Sequence, residues 1–277
     1  MRNKRISLFV WLCAALLIFG CVPEKEVDIN LPDYERALVV ECVLEPGKPF
    51  RLLLSESVGF SEGLDTPFVE DALVIITHNG FQDTLHETFS FEPVGFKIFN
   101  YNSNNVVPED YGAEYELYIK SADGREVRGT TKVMAPIPVD HLDLDYNDDS
   151  LASLTVHWQD RPGEENNYLV YIHRGTLYSA DPDYEGGLEI DFTVNDVIGD
   201  GEMFTIGTFF SFKKGDTLIA SVAEISAGYS EYLDSVDDAV SSNGNPFAMP
   251  GQILSTVSGG IGVFTGFQMS RDTIIVP

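Results

Sequence analysis

Apolar and polar residues alternate with a period of two along most of this chain, which is the signature of half-buried strands. Leu38-Val39-Val40-Glu41-Cys42-Val43-Leu44 alternates, turns at Glu45-Pro46-Gly47-Lys48-Pro49 and returns from Phe50 to Ser55, predicting a hairpin. Ala72 to Thr77 ends at His78-Asn79-Gly80, and Phe81 to Thr88 follows. Asn-Gly between two such runs is the strongest short hairpin signal, because both residues tolerate positive φ. Tyr115 to Ile119 alternates, turns at Asp123-Gly124 and resumes through Thr131 to Val133.

Past the rigid Ala135-Pro136-Ile137-Pro138, the pattern continues with Leu142, Leu144 and Tyr146 on one face, then Leu154 to Trp158 and Tyr168 to Ile172. Further strands are expected at Phe204 to Phe212, Asp216 to Ile225, Ile261 to Phe267 and Thr273 to Val276. One segment changes period: over about 228–240, Tyr232, Val236 and Val240 recur at helical spacing, and Asn243-Gly244-Asn245-Pro246 stops the helix. These elements predict a mainly β protein with one short helix near the C-terminus. The expected architecture is two β-sandwich domains, immunoglobulin-like or transthyretin-like over 35–134 and fibronectin type III-like over 140–277, with 135–139 as linker.

The N-terminus obeys different rules. Arg2, Lys4 and Arg5 precede an uncharged, largely apolar run from Ile6 to Phe19, and Gly20-Cys21 follows at once. A positive start, a short apolar stretch and a small residue before cysteine predict a lipoprotein signal peptide over 1–20, with Cys21 lipidated as the first mature residue. The apolar run is shorter than the roughly 20 residues a spanning helix needs. Residues 21–34 then form an acidic tether, in which Glu24, Glu26 and Asp28 follow the expected lipid.

Charge narrows the partners. Loss of Arg2, Lys4 and Arg5 lowers Lys+Arg from 17 to 14 against 44 Asp+Glu, taking the formal charge from −27 to −30. Such a surface repels phosphate backbones and argues against nucleic acid as a partner. Cysteine usage is sparse: with Cys13 removed and Cys21 lipidated, Cys42 remains, so no intramolecular disulfide is expected. Cys42 shares a strand face with Leu38, Val40 and Leu44, which predicts a buried, inert thiol.

Candidate chemistry is thin. Gly59-Phe60-Ser61-Glu62-Gly63 fits the spacing of a serine-hydrolase nucleophile elbow, yet Leu64-Asp65-Thr66-Pro67 follows with no helical period. His78, His86, His141, His157 and His173 show no metal-ligand spacing, although His157 and His173 fall on strands expected to neighbour one another. Asp181, Asp183 and Glu185 offer hard oxygens in a loop without the calcium-loop glycine, and His141, Asp143 and Asp145 share one face, read as a wet face. Asp-Ser/Thr-apolar triplets, as at Asp83-Thr84-Leu85 and Asp234-Ser235-Val236, resemble O-glycosylation acceptors of exported proteins. No cofactor, no metal and no catalytic residue are expected.

Several scattered blocks carry a resemblance. They are Leu38-Val39-Val40-Glu41, Ala72-Leu73-Val74-Ile75, Lys214-Gly215-Asp216-Thr217, Tyr229-x-x-Tyr232-Leu233, Asn245-Pro246-Phe247 and Gly259-Gly260-Ile261-Gly262-Val263-Phe264. Together they resemble a family of outer-membrane lipoproteins of the Bacteroidota known only as a domain of unknown function, often encoded beside a TonB-dependent receptor. The tether, the β modules, the thin candidate chemistry and this resemblance together lead to the expectation of a lipid-anchored, non-enzymatic accessory or ligand-capture partner of that receptor on the outer membrane. Glu24, Glu26 and Asp28 resemble a surface-export signal that would turn it to the cell surface. A structural or adhesive surface protein is the alternative, and a hydrolase using Ser61 is a third reading.

Overall fold

A computed structural model describes residues 35–59, 67–92, 97–175, 187–197, 199–242 and 251–277. The signal peptide, Cys21 and the tether over 21–34 lie outside the described residues, as do Ser61 and Asp181 to Glu185.

The predicted hairpins form where their turns demand. β1 (Leu38–Leu44) and β2 (Pro49–Glu56) pair antiparallel, as do β3 (Leu73–His78) and β4 (Phe81–Glu92). Asn79 (φ 47°) and Gly80 (φ 79°) take the left-handed turn that joins the second pair. β5 (Lys97–Val106) lies between β2 and β4, while β6 (Glu114–Lys120) pairs with both β3 and β7 (Glu126–Met134).

Beyond the Pro-rich stretch come β8 (His141–Tyr146), β9 (Ala152–Gln159), β10 (Asn167–Arg174), β11 (Gly187–Asn195), β12 (Met203–Gly207) and β13 (Thr217–Ile225). α1 (Ala227–Ser242), β14 (Val257–Ser258), β15 (Ile261–Phe267) and β16 (Ser270–Ile275) complete the described elements. The expected strand from Phe204 to Phe212 stops at Gly207. Phe212 instead turns inward, bridging Ala152 and filling the second core.

The expectation of two β-sandwich domains is overturned. β15 inserts between β1 and β7, parallel to both, and the order β7-β15-β1-β2-β5-β4-β3-β6 returns to β7 as a closed eight-stranded barrel. Alternation fixes which side of a strand faces inward. It does not distinguish a sheet stacked on another from a sheet rolled onto itself. The barrel interior is a packed apolar core, with Leu38, Leu52, Ile76, Tyr115 and Phe264 among the residues filling it. Cys42 is fully buried there, and burial, then the Glu41 charge, push its thiol far above its ordinary range.

The remaining strands make a three-stranded sheet (β12-β9-β8) and a four-stranded sheet (β11-β10-β13-β16) around a second core. Trp158 is buried at its centre, stacked on Phe204 at 5.5 Å and edge-on to Tyr168 at 5.6 Å. β13 carries apolar residues on both faces because both are covered. Leu218, Ala220 and Val222 face the second core, while Ala223 and Ile225 join a third cluster with Val263 and Phe267 of the barrel strand β15. α1 lies over this outer face through Tyr229, Tyr232 and Leu233, whereas Val240, expected on its apolar stripe, is exposed.

Candidate functional site

The outer face of the four-stranded sheet meets the barrel end at a cleft of about 230 Å³. Its wall is one cross-strand row. Tyr171 on β10 pairs with Asp191 on β11 and with Ser221 on β13, and Ser221 pairs with Arg271 on β16. Directly opposed residues share a face, so Asp191, Tyr171, Ser221 and Arg271 enter the cleft side by side, and all four line it. With strands about 4.8 Å apart, the row sets the backbones of its acidic end, Asp191, and its basic end, Arg271, roughly 14 Å apart, and the long arginine side chain can reach back along the cleft. His173 joins it two residues along β10.

The opposite rim comes from the barrel. Lys48, in the turn just before β2, lies 2.8 Å from Glu45 and 2.9 Å from Glu92, and Arg51 pairs with the same Glu92 while covering the Phe99 ring at 4.4 Å. Burial alone would raise the Glu92 pKa, but Lys48 and Arg51 outweigh it and hold the carboxyl below its ordinary range. Tyr229 and Phe267, stacked at 5.7 Å, supply the apolar floor.

Burial shapes the row's titration. Tyr171 is pushed up to about 12, by burial first and then by Asp191. Burial and then the Asp237 charge raise Asp191. His173 is lowered by burial and then by Arg271, which favours the neutral imidazole. Two polar atoms here have no protein partner: Nδ1 of His173 and Oγ of Ser221, the latter on a residue 2% exposed. A buried hydroxyl without a partner is costly unless a ligand or water completes it. No hydrogen bond joins Ser221 to His173, so the pair lacks the contact that activates a nucleophile. The arrangement offers an acceptor end, a donor end and aromatic walls to a small amphoteric molecule.

The sequence reading placed its candidates elsewhere. His157 and His173 were expected on neighbouring strands, but β9 and β10 belong to different sheets and the two do not pair. His157 lies opposite His141 instead. His78 is packed against Tyr115 at 5.0 Å and near Asp83 at 3.3 Å, while His86 is exposed. Ser235, within an Asp-Ser-apolar triplet, is buried in α1 and donates to the Tyr232 carbonyl, which removes it as a glycan acceptor. Asp191, Ser221 and Arg271 were missed. The available signal was the two-sided apolarity of β13, which requires its outer face to be covered.

Among the described residues, two groups of potential ion ligands lie outside the cleft: His141, Asp143 and His157, and the trio Asp160, Asp196 and Asp200. In the second, Asp160 is already engaged by the Tyr168 hydroxyl and by the Gly201 N–H at 2.6 Å. A separate apolar patch lies on the barrel, where Phe68, Phe89, Phe91 and Ile98 are all exposed and Phe68 meets Phe89 edge-on at 5.2 Å. No helix among the described residues is long and apolar enough to cross a membrane.

Residues 24–273 match the model of a family described as a domain of unknown function (DUF4249). Among solved structures, a chain of a cytokine receptor complex (crystal form 1A) aligns at 10% identity and a TM-score of 0.26, covering 86% of this chain and 96% of that one. A chain of another such complex (crystal form 2) aligns at 12% identity and 0.26, covering 67% and 89%. Scores that low carry no structural argument. A search of curated proteins gives no match.

Proposed function

We propose, for a chain that belongs to the DUF4249 family of domains of unknown function, a role as a non-enzymatic ligand-capture lipoprotein of a Bacteroidota outer membrane, working beside a TonB-dependent receptor. The observation that carries capture is the Asp191-Tyr171-Ser221-Arg271 row with its unpartnered, buried Ser221 hydroxyl. A volume of about 230 Å³ lies below the usual range for drug-sized ligands, roughly 300–1,000 Å³. The ligand is therefore small, with an anionic group for Arg271 and a donor for Asp191, on the scale of a free amino acid or a dipeptide. Tethering rests on the leader and Cys21, and docking on the aromatic patch around Phe89 and Phe91, since exposed apolar clusters of that kind mark interaction surfaces.

Capture is tested by thermal unfolding against a panel of amino acids and dipeptides. A ligand that binds the folded state raises the midpoint, by a stabilisation that grows with the logarithm of one plus its concentration over Kd. The upward shift is expected in the native chain and absent in Arg271→Gln and Ser221→Val. No shift from any member of the panel removes this ligand class.

Partnership is tested separately, by pull-down from native outer membranes in mild detergent. A TonB-dependent barrel is expected in near-equal amount, and Phe89→Ser/Phe91→Ser is expected to lose it. Recovery of the lipoprotein alone sinks the stable complex and favours a structural or adhesive surface role.

A further inference from the structure

We infer that His141, Asp143 and His157 form a binding site for a divalent transition-metal ion of the zinc class, on the three-stranded sheet and apart from the cleft. On β8, Leu142 and Leu144 face the second core, so His141 and Asp143 face outward. On β9, Val156 and Trp158 face the same core, which turns His157 outward. The antiparallel register sets His141 directly opposite His157, and β12 sets Thr205 on the other side of His157. Three strands thus present two imidazoles, a carboxylate and a hydroxyl on one face.

The outer partners of the two rings are already in place. Nδ1 of His141 lies 2.6 Å from Asp140 Oδ2, and a carboxylate there accepts the Nδ1–H, leaving Nε2 with its lone pair. Nδ1 of His157 lies 3.0 Å from Thr205 Oγ1, a hydroxyl able to accept in the same way. Metal-binding histidines are commonly held by such a bond through the other ring nitrogen, which fixes tautomer and orientation.

The ligand atoms themselves are spaced for a metal. His157 Nε2 is 3.2 Å from Asp143 Oδ2, and His141 Nε2 is 3.5 Å from the same oxygen. Adjacent ligands of a tetrahedral ion with bonds of about 2.0–2.1 Å stand about 3.3 Å apart. His157 Nε2 is buried and makes no hydrogen bond, so its contact with Asp143 meets the distance but not the direction of one. A simple imidazole–carboxylate pair would aim an Nε2–H at the oxygen, whereas an Nδ1–H held by Thr205 leaves a lone pair on Nε2. The two rings stack at 4.0 Å and 9°, which directs their lone pairs side by side. Convergence on one ion takes a turn about the Cβ–Cγ bond, a soft torsion in histidine.

Two imidazoles and one carboxylate select zinc, nickel, cobalt or copper over the hard ions calcium and magnesium. His141 and Asp143 are exposed, so the fourth position stays open to water or to a group brought by a partner. The strongly acidic surface raises the local concentration of cations near the site.

Titration of the untagged mature chain in mild detergent, stripped by a chelator, with Zn²⁺ alone against a chromophoric competitor tests this. One saturable site per chain is expected, undisturbed by excess Ca²⁺. His141→Gln and Asp143→Asn, both exposed and outside either core, should each weaken it at least tenfold, and Asp140→Asn by about 10–100-fold. His86→Gln, at an exposed histidine of the barrel, should leave it unchanged. Absence of a saturable site, or unchanged affinity in both His141→Gln and Asp143→Asn, overturns the assignment and leaves only diffuse attraction to an acidic surface.

Discussion

Gly262→Val is expected to abolish the folded state rather than weaken it. Gly262 sits at φ 121° on β15, in register with Val40 of β1. A Cβ there would lie 2.0 Å from the Val40 carbonyl oxygen and 2.9 Å from its carbon. Both are backbone atoms of a paired strand, so no side-chain rotation relieves the overlap. β15 is also the strand that joins β1 to β7, and displacing it opens the barrel along its length. The expected loss exceeds about 4–5 kcal/mol, comparable to the whole stability of an ordinary domain, about 5–15 kcal/mol. Gly124→Ala supplies the comparison: its φ is 92° but a Cβ meets nothing within 4 Å, so it carries the backbone penalty alone, about 1–2 kcal/mol. Urea unfolding followed by far-ultraviolet circular dichroism separates them. A Gly262→Val chain that unfolds cooperatively near the midpoint of Gly124→Ala would show that β15 does not hold the barrel shut.

That strand marks the line between what was legible in the sequence and what was not. Leu38 to Leu44 reads as alternation and is alternately buried in the structure, and Asn79-Gly80 makes the turn its residues require. Strand existence follows from local patterning because burial acts on each residue where it stands. Partner choice does not, because β1 and β15 pair from opposite ends of the chain. The glycines at 259, 260, 262 and 266 were the readable hint, since glycine in a strand often marks close backbone approach. A Cβ at each would fall 2.8 Å or nearer to another residue. The cleft was hidden for a related reason. Asp191, Tyr171, Ser221 and Arg271 come from four strands, and only the register places them in one row. The histidines show the same failure at short range, because consecutive β9 and β10 enter different sheets while His141 and His157, on paired strands, meet.

Arg161→Met is expected to cost about 1–3 kcal/mol at pH 8, the penalty for leaving a buried carboxylate short of a partner, and less than for a fully buried ion pair because the arginine itself is 39% exposed. Arg161 pairs with Glu224, which is 2% exposed, and donates to the Pro136 carbonyl at 3.0 Å, fastening the Pro-rich stretch to β13. Methionine keeps much of the stem's packing and removes the charge. Glu224 already has a raised pKa: burial is the main cause, opposed by Arg161 and by Asn166, which donates at 3.1 Å, while Glu164 and Asp160 add to the rise. Without Arg161 the rise is larger. A carboxyl whose folded pKa exceeds its unfolded value binds more protons in the folded state, so stability falls as pH climbs through that interval. The variant should therefore regain stability from pH 8 towards pH 5.5, along a steeper slope than the native chain. Asp191, raised by burial, tilts both proteins alike and drops out of the difference. Glu56 and Glu92 are lowered, so their contributions are lost only as pH falls towards and below the ordinary carboxylate range, beneath this window. Urea midpoints at pH 5.5, 6.5 and 8 measure the slope. A deficit that stays constant across the three would mean that Glu224 finds another cation or water when Arg161 is gone, and that the arginine acts through the Pro136 carbonyl alone.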